Sequence, residues 1–382
     1  MPNRILHVID HTDSGGAQVL LYYLILALKD RFSFTVAVIG KSGRFTQMYR
    51  DLGVPVILLD ELGSRWSPLP LITLTAELAR HRYDLIHNHL FKASILGMVS
   101  SRLSGCKCIV HDHTGIYPES LKYIISNPIV RYIYLIAYSA LLNRVSQVIV
   151  LTSGMQQAYL ENYRIDPRKI TLLPNAIDIR AFERPDRNNC AEELCKTLGL
   201  STQTKLVTMI GRLDPEKDWQ TFLGVARLVT TQFGMPCAFL VVGSGSQDRE
   251  LRTRVRAEGL DRVIFLGYRE DIPDLLSQSD VFLLTSRREP FGIVLLEAMA
   301  AGCPIVATRS GGPESILTNG VDALLADVGD VQGLAEIVMR ILEDTDLARE
   351  LATRARRKVL EHYSQDVFME KMVAMYRDVI GA

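Results

Sequence analysis

No stretch of this 382-residue chain supplies the run of about twenty apolar residues that a spanning helix needs, so none is expected. The six cysteines form no metal pattern: one residue separates Cys106 from Cys108, four separate Cys190 from Cys195, and no second pair stands at zinc-ligand spacing. The opening MPNRILHVID runs directly into a strand pattern and lacks the parts of a secretory signal. Reduced thiols and a cytoplasmic location are therefore expected. A charge of one sign is also missing, since 43 Lys and Arg balance 43 Asp and Glu. That balance gives no basic footprint for nucleic acid. It does hide an asymmetry: residues 1–180 hold 19 Lys and Arg against 13 Asp and Glu, a net of +6, which leaves −6 for the remainder. Two unequal solvated surfaces explain this as well as an anionic partner of the N-terminal half does, such as phospholipid headgroups or a lipid phosphate.

Short apolar strands alternate with helical stretches throughout, the pattern of parallel sheets covered by helices on both faces. Strands are expected at 5–9, 34–40, 84–89, 108–113 and 147–152, and again at 205–211, 238–243, 263–267, 280–285 and 304–308. Two such series predict an α/β chain of two Rossmann-like domains, with a cleft where the carboxyl ends of both sheets meet. The polar stretch 183–204 reads as the linker. No tandem repeat or low-complexity tract is present.

The run EPFGIVLLEAMAAGCPIVATR at 289–309 carries the most chemistry. Pro290 and Gly292 mark a turn, so a helix should begin near Gly292 and end near Gly302. Glu289 then lies in the loop before the helix, and Glu297 inside a helix that is apolar all round. A helix of that kind is normally buried, and an ionised carboxylate there is costly unless paired or hydrogen-bonded. A donor-rich ligand such as a sugar would satisfy it, and the backbone N–H groups around Gly292–Val294 would suit a phosphate. In GRLDPEKD at 211–218, Arg212 and Lys217 follow a strand and a Gly turn, which can place two cations at the sheet's carboxyl edge. An exposed polar loop with three acids is the plainer account of the same residues. GSGSQ at 243–247 fits either a nucleotide-facing loop or a surface turn.

Glu289 and Glu297, with seven residues between them, resemble the signature of the retaining nucleotide-sugar glycosyltransferases of family 4. GRLDPEKD resembles that family's diphosphate-binding segment, LPNAID at 173–178 its interdomain segment, and SGG at 14–16 its N-terminal glycine loop. These marks stand in the family's order and extend over nearly the whole chain. The resemblance implies the GT-B architecture. An acceptor-side domain would cover 1–176 together with a crossover helix at 365–382, and a donor-binding domain 177–364. It implies transfer of a hexose-type sugar from a UDP- or GDP-sugar to an acceptor hydroxyl, a saccharide or lipid-linked saccharide of cell-surface glycan assembly, without metal or other cofactor. Glu297 would hold the ribose hydroxyls, Glu289 would sit by the donor sugar, and Arg212 and Lys217 would take the diphosphate. Phe291, Gly292, Ile293 and Val294 would line the same site, Gly15 and Gly16 would approach the phosphate or sugar, and His113 would stand near both. Tyr268 and Arg269 fall where the family commonly holds the base. Gln18 departs from the family, which usually has an acid there. A nucleotide-sugar epimerase of the same architecture and a non-catalytic donor-binding subunit are the alternatives.

Among the other histidines, His87 and His111 read as core or supporting residues, and His89, with Asp112, as a weaker site candidate. Zinc is not expected of them, because no helical His-x-x-x-His or paired cysteines accompany them. The segment 117–144 has five tyrosines with Lys122, Arg131 and Arg144 against Glu119 alone. It reads equally as a core helix and as an interfacial helix with tyrosines at headgroup depth, which would make attachment to an anionic membrane peripheral.

Overall fold

The computed structural model describes residues 2–13, 15–60, 67–115, 126–183 and 194–381. Ser14 of the glycine loop, 117–125 of the tyrosine-rich segment and 184–193 of the expected linker lie outside them. The chain divides into two compact units, Met1–Asn175 with Asp366–Ala382, and Ala176–Gln365.

The first unit holds β1 (Arg4–Ile9), β2 (Ser33–Val38), β3 (Val56–Leu58), β4 (Leu85–His89), β5 (Lys107–His111), β6 (Gln147–Val150) and β7 (Ile170–Leu172). Their order is β3-β2-β1-β4-β5-β6-β7, and every neighbouring pair is parallel. The second unit holds β8 (Lys205–Ile210), β9 (Cys237–Val242), β10 (Val263–Gly267), β11 (Val281–Leu284), β12 (Ile305–Thr308) and β13 (Leu324–Ala326), in the order β10-β9-β8-β11-β12-β13, again all parallel. Helices cover both faces of each sheet, so most long strands are apolar on both faces, as in the wholly buried β9 and β11, whereas β4 buries His87, Asn88 and His89. Three-residue strands β3, β7 and β13 each close a sheet edge, and such short pieces carry no legible period.

In both sheets the winding direction reverses beside the first strand, between β1 and β4 and between β8 and β11. Loops leaving adjacent strands in opposite directions open a crevice at the carboxyl edge, which is where ligands of open α/β sheets bind. In the second unit these are the loops after Ile210 and after Leu284, which contain GRLDPEKD and the start of the carboxylate run.

The helix Gln365–Ile380 packs into the first unit. Its Tyr376 is fully buried and its hydroxyl lies 2.7 Å from His87 Nδ1. Lys107 Nζ donates to the carbonyls of Val379 and Ile380 at the end of this helix, at 2.8 and 3.0 Å. The second unit closes on itself where Ile177 N donates to Tyr363 O and Gln365 N to Ile177 O. Helix Pro128–Leu142 buries only Tyr138 and Leu142. Ile129, Tyr132, Ile133 and Ile136, at one-face helical spacing, are each more than half exposed, as is Val130. Over the described residues, this helix is not the core helix that one reading of its composition allowed.

The Tyr376–His87 contact gives a direct test. Tyr376→Phe removes one partner of a fully buried hydrogen bond, and the imidazole nitrogen left behind should cost about 1–3 kcal/mol. Urea unfolding at pH 7 measures this, and an unchanged midpoint would show that the bond does not tie the helix to the sheet.

Candidate functional site

The loop after β8 turns through Gly211–Leu213 into a short 3-10 turn, Pro215–Lys217, and then into helix Trp219–Arg227. Gly245 explains part of this shape. A Cβ on it would stand 2.5 Å from Leu213 N, so the GSGSQ loop lies directly on the backbone of GRLDPEKD and needs a glycine there. Leu213 N donates to Ser244 O at 3.0 Å, Gln247 N donates to Leu213 O at 2.8 Å, and Asp214 accepts from the backbone and hydroxyl of Ser246. The glycines of GSGSQ are thus explained by contact with the neighbouring loop.

The loop after β11 is bound to this one by several bonds. Thr285 Oγ1 donates to the carbonyls of Lys217 and Asp218 at 3.2 and 3.0 Å, and Arg287 N donates to Glu216 O at 2.9 Å. Arg287 also pairs with the buried Asp218 at 3.0 Å. Across the same junction Lys217 Nζ donates to Glu289 Oε2, with side chains 15% and 8% exposed. Ser286 Oγ also donates to Glu289 Oε2, at 3.4 Å. Glu289 is thus held by a cation seventy-two positions away in sequence. Its backbone bridges to Gly311, and Gly312 N donates to its carbonyl. Arg212 stays two-thirds exposed, with its guanidinium paired to Asp214 and Glu216.

The helix expected from Gly292 to Gly302 spans Ile293–Ala301. Gly292 stands before it at φ 94°, a left-handed conformation that glycine adopts freely, and no side chain caps the first turn. The leading N–H groups of Ile293 and Val294 are therefore left for a ligand or water. Phe291 is buried, its ring 6.4 Å from that of Tyr363, so it braces the loop from inside. Glu297 is part-buried in the helix, and no described residue donates a hydrogen bond to it or pairs with it. Burial pushes its carboxyl up to about 7. Tyr268 and Arg269 follow β10; Tyr268 is 64% exposed, and Arg269 pairs with Asp271.

The remaining sequence candidates lie in the first unit. Gly15 precedes helix Gly16–Leu28 at φ 150°, with no side-chain cap. Gln18, where an acid was the family expectation, is buried and donates to His11 O at 3.2 Å, so it fastens the loop. Asp112 accepts from Thr114 N, Gly115 N and Tyr159 Oη and is thereby used to shape the turn after β5. His113 is part-buried, with Nε2 3.1 Å from His89 Nδ1 and its ring stacked on His111. Burial lowers its pKa to about 3, so it is uncharged near neutral pH. His7, His87, His89 and His111 crowd around it, all fully buried and all likewise held uncharged by burial. Sequence spacing did not suggest this cluster, because it forms only through the pairing of three strands.

Known proteins match the chain over both units. A family model described as Glycosyltransferase Family 4 matches residues 14–181, and one described as Glycosyl transferases group 1 matches 191–358. An Escherichia coli relative, UDP-Gal:alpha-D-GlcNAc-diphosphoundecaprenol alpha-1,3-galactosyltransferase, is 28% identical and is matched over 96% of this chain and 94% of its own. The 2-deoxystreptamine glucosyltransferase of Streptomyces kanamyceticus is 31% identical over 74% of each chain. Among solved structures, Anabaena Alr3699/HepE in complex with UDP and glucose superposes with a TM-score of 0.84 at 26% identity, over 98% of this chain and all of that one.

The unpartnered Glu297 predicts a pH-dependent stability. Its carboxyl has an ordinary value of 4.5 and is raised to about 7 in the folded chain, so the folded state holds the proton more tightly than the unfolded one. The cost of the charge is absent below pH 4.5, grows as pH rises, and is complete above about 7. Glu297→Gln should therefore stabilise the chain at pH 8 by on the order of 1–3 kcal/mol and have little effect at pH 4.5. Urea unfolding at the two pH values measures it. Equal effects at both would mean that the carboxylate has no burial cost.

Proposed function

This chain belongs to the family 4 glycosyltransferases of GT-B architecture, and from that premise we propose that it moves a hexose-type sugar from a UDP-sugar to a lipid-linked saccharide, with retention at the anomeric carbon and without a metal. The observation that carries the reading is Glu297: a part-buried carboxylate with no partner among the described residues, in the helix that starts uncapped after the loop of the Lys217–Glu289 pair. Two ribose hydroxyls would satisfy that carboxylate, and the uncapped N–H groups would take phosphate oxygens. The UDP bound to Anabaena HepE and the UDP-Gal in the name of the E. coli relative support a uridine donor. That relative's acceptor, a sugar on diphosphoundecaprenol, supports a lipid-linked one.

In the proposed reaction the bond between the anomeric carbon and the diphosphate oxygen breaks, and the acceptor oxygen bonds to that carbon on the same face. The acceptor's proton passes to the departing phosphate. Arg212 and Lys217 stabilise the charge that grows on the diphosphate, the task a metal would otherwise perform. Glu289, held by Lys217, lends negative charge near the anomeric carbon. A covalent role is disfavoured, because a retaining glycosidase nucleophile needs a second carboxyl about 5 Å away across one bond, and Glu297 serves the other end of the donor. His113, uncharged, is a hydrogen-bonding partner for the donor sugar or its phosphate.

The experiment is transfer from a panel of UDP- and GDP-sugars, with and without membrane lipid extract and with and without chelator. Lipid-dependent transfer from a UDP-sugar, unaffected by chelator, is expected. Abolition by chelator with rescue by magnesium or manganese would refute the metal-free reaction, and an altered sugar without acceptor would indicate an epimerase. Glu297→Gln should weaken UDP binding by roughly 1.5–3 kcal/mol in calorimetry. Lys217→Ala should lower kcat more than it raises KM, because its partner charge peaks in the transition state.

An acceptor carried on lipid also gives the exposed face of Pro128–Leu142 a task. Ile129, Val130, Tyr132, Ile133 and Ile136 would lie at headgroup depth with Arg131 beside lipid phosphate, in a half of the chain that carries +6. Flotation with anionic liposomes should recover the protein in a salt-sensitive manner, since screening cuts surface charge to a reach of about 8 Å at physiological ionic strength. Ile133→Asp with Ile136→Asp should abolish recovery. Absence of the wild type from both anionic and neutral liposomes would leave this face to another partner and favour a soluble acceptor.

A further inference from the structure

The first unit has its own reversal of winding, between β1 and β4, and hence its own crevice at the carboxyl edge. The walls of that crevice are the loops after Ile9 and after His89. Asp10 fastens one to the other: its carboxylate accepts from Ala93 N at 2.6 Å and from Lys92 N at 3.2 Å, at the start of helix Phe91–Ser104. Leu90, between the strand and that helix, is held at φ 71° and ψ −179°, a region nearly closed to residues other than glycine. Such a conformation persists only where the surroundings fix the backbone, so both walls are firmly held.

His11 belongs to the first of these walls, with its side chain 43% exposed. Its Nδ1 lies 3.3 Å from Gln18 Nε2, and the same Gln18 nitrogen donates to His11 O at 3.2 Å. A carbonyl oxygen only accepts, so Gln18 presents its amide NH2 to His11 and not its oxygen. Nδ1 is therefore the acceptor, and the proton of the neutral ring sits on Nε2. Asp13 Oδ2, 3.9 Å from Nδ1, is too distant to compete for a hydrogen bond. Gln18 has little room to turn. It is 2% exposed, and its Oε1 fills the space beside Gly15, where a Cβ would stand 2.6 Å away. No described residue pairs with His11 Nε2. The half-exposed ring is thus a fixed N–H donor at the carboxyl edge.

We propose that His11 binds the acceptor, donating from Nε2 to an oxygen of the acceptor saccharide, and that Gln18 is the positioning residue that fixes the ring's tautomer. The inference rests on the glycosyltransferase reading and deepens it, since no residue named there holds the acceptor. A neutral saccharide suits the place better than a phosphate does, because Asp10 and Asp13 stand beside the ring and would oppose a second negative charge. Their oxygens can also accept from sugar hydroxyls. With the one lone pair of the neutral ring taken up by Gln18, His11 cannot remove the acceptor's proton. It orients the acceptor oxygen, and the proton goes to the departing phosphate as in the reaction above.

The test uses the full chain, a UDP-sugar that it transfers, and membrane lipid extract as the source of acceptor. His11→Ala should raise the amount of extract that gives half-maximal rate roughly 3–10-fold, the worth of one hydrogen bond, with UDP affinity in calorimetry unchanged. His11→Gln, whose side-chain amide can still donate, should recover most of that loss. Imidazole 15N NMR of the wild type at pH 8 should show the His11 ring, identified by the signals lost in His11→Ala, protonated on Nε2 alone. Gln18→Met, which keeps the bulk and removes the donor, should give signals of both tautomers and raise the half-maximal amount as well. An unchanged half-maximal amount in His11→Ala, a loss of UDP affinity in that variant, or a wild-type ring protonated on Nδ1 would each overturn the inference. Should Gln18→Met fold poorly, the wild-type spectrum and the two His11 variants decide. A wild type that transfers no sugar from any UDP- or GDP-sugar is a different result, and it would sink the glycosyltransferase reading together with this inference.

Discussion

The ion pair between Lys217 and Glu289 is the constraint on which the second unit's site depends. Both charges are largely withdrawn from water, so neither is tolerable without the other: deleting one partner of such a pair typically costs about 3–5 kcal/mol. The pair is reachable only because β8 and β11 are neighbours with their carboxyl ends aligned, the point at which the sheet reverses its winding. Thr285, Arg287 and Asp218 fasten the same two loops on either side of it. Asp218 even adopts a left-handed backbone at φ 50° to do so, a conformation that aspartate tolerates better than most residues. Strand order, loop path and charge placement are therefore one arrangement.

Glu297 is built on the opposite logic. Where Glu289 is satisfied within the chain, Glu297 has an apolar helix around it and no donor among the described residues, and burial raises its carboxyl toward neutrality. A fold optimised only for stability would carry glutamine or an apolar residue there. An acceptor kept short of donors is instead ready for hydroxyls that arrive with a ligand, and stability is lowered for the sake of binding.

How much of this could be read in advance follows from where each signal resides. Helix Ile293–Ala301 was legible to within a residue because Gly292 and Gly302 punctuate an unbroken apolar run. The ten longer strands were legible because a buried parallel strand is a short apolar run between turns. β3, β7 and β13 were not, since three residues at a sheet edge show no period. Nor were the partners of Glu289 and Glu297: one pairing is created by strand order, and the other's lack of a partner is a property of packing. Composition left helix Pro128–Leu142 balanced between core and surface, because tyrosine, isoleucine and leucine suit both. Only the count of neighbours around each side chain decides it, and that count is a tertiary quantity.

The histidine cluster shows the same limit from the other side. A side-chain cluster is legible in sequence when its members share a helix turn or a tight loop, since local spacing then implies proximity. Here the rings come from β1, β4, β5 and the turn after β5, and register does the assembling. One reversal of winding thus serves two chemistries. Beside β8 it gathers charges of opposite sign, suited to a phosphate and the hydroxyls of a sugar. Beside β1 it gathers neutral imidazoles, which can give and accept hydrogen bonds. Burial keeps these rings uncharged, so they meet a ligand as hydrogen-bonding groups and not as charges.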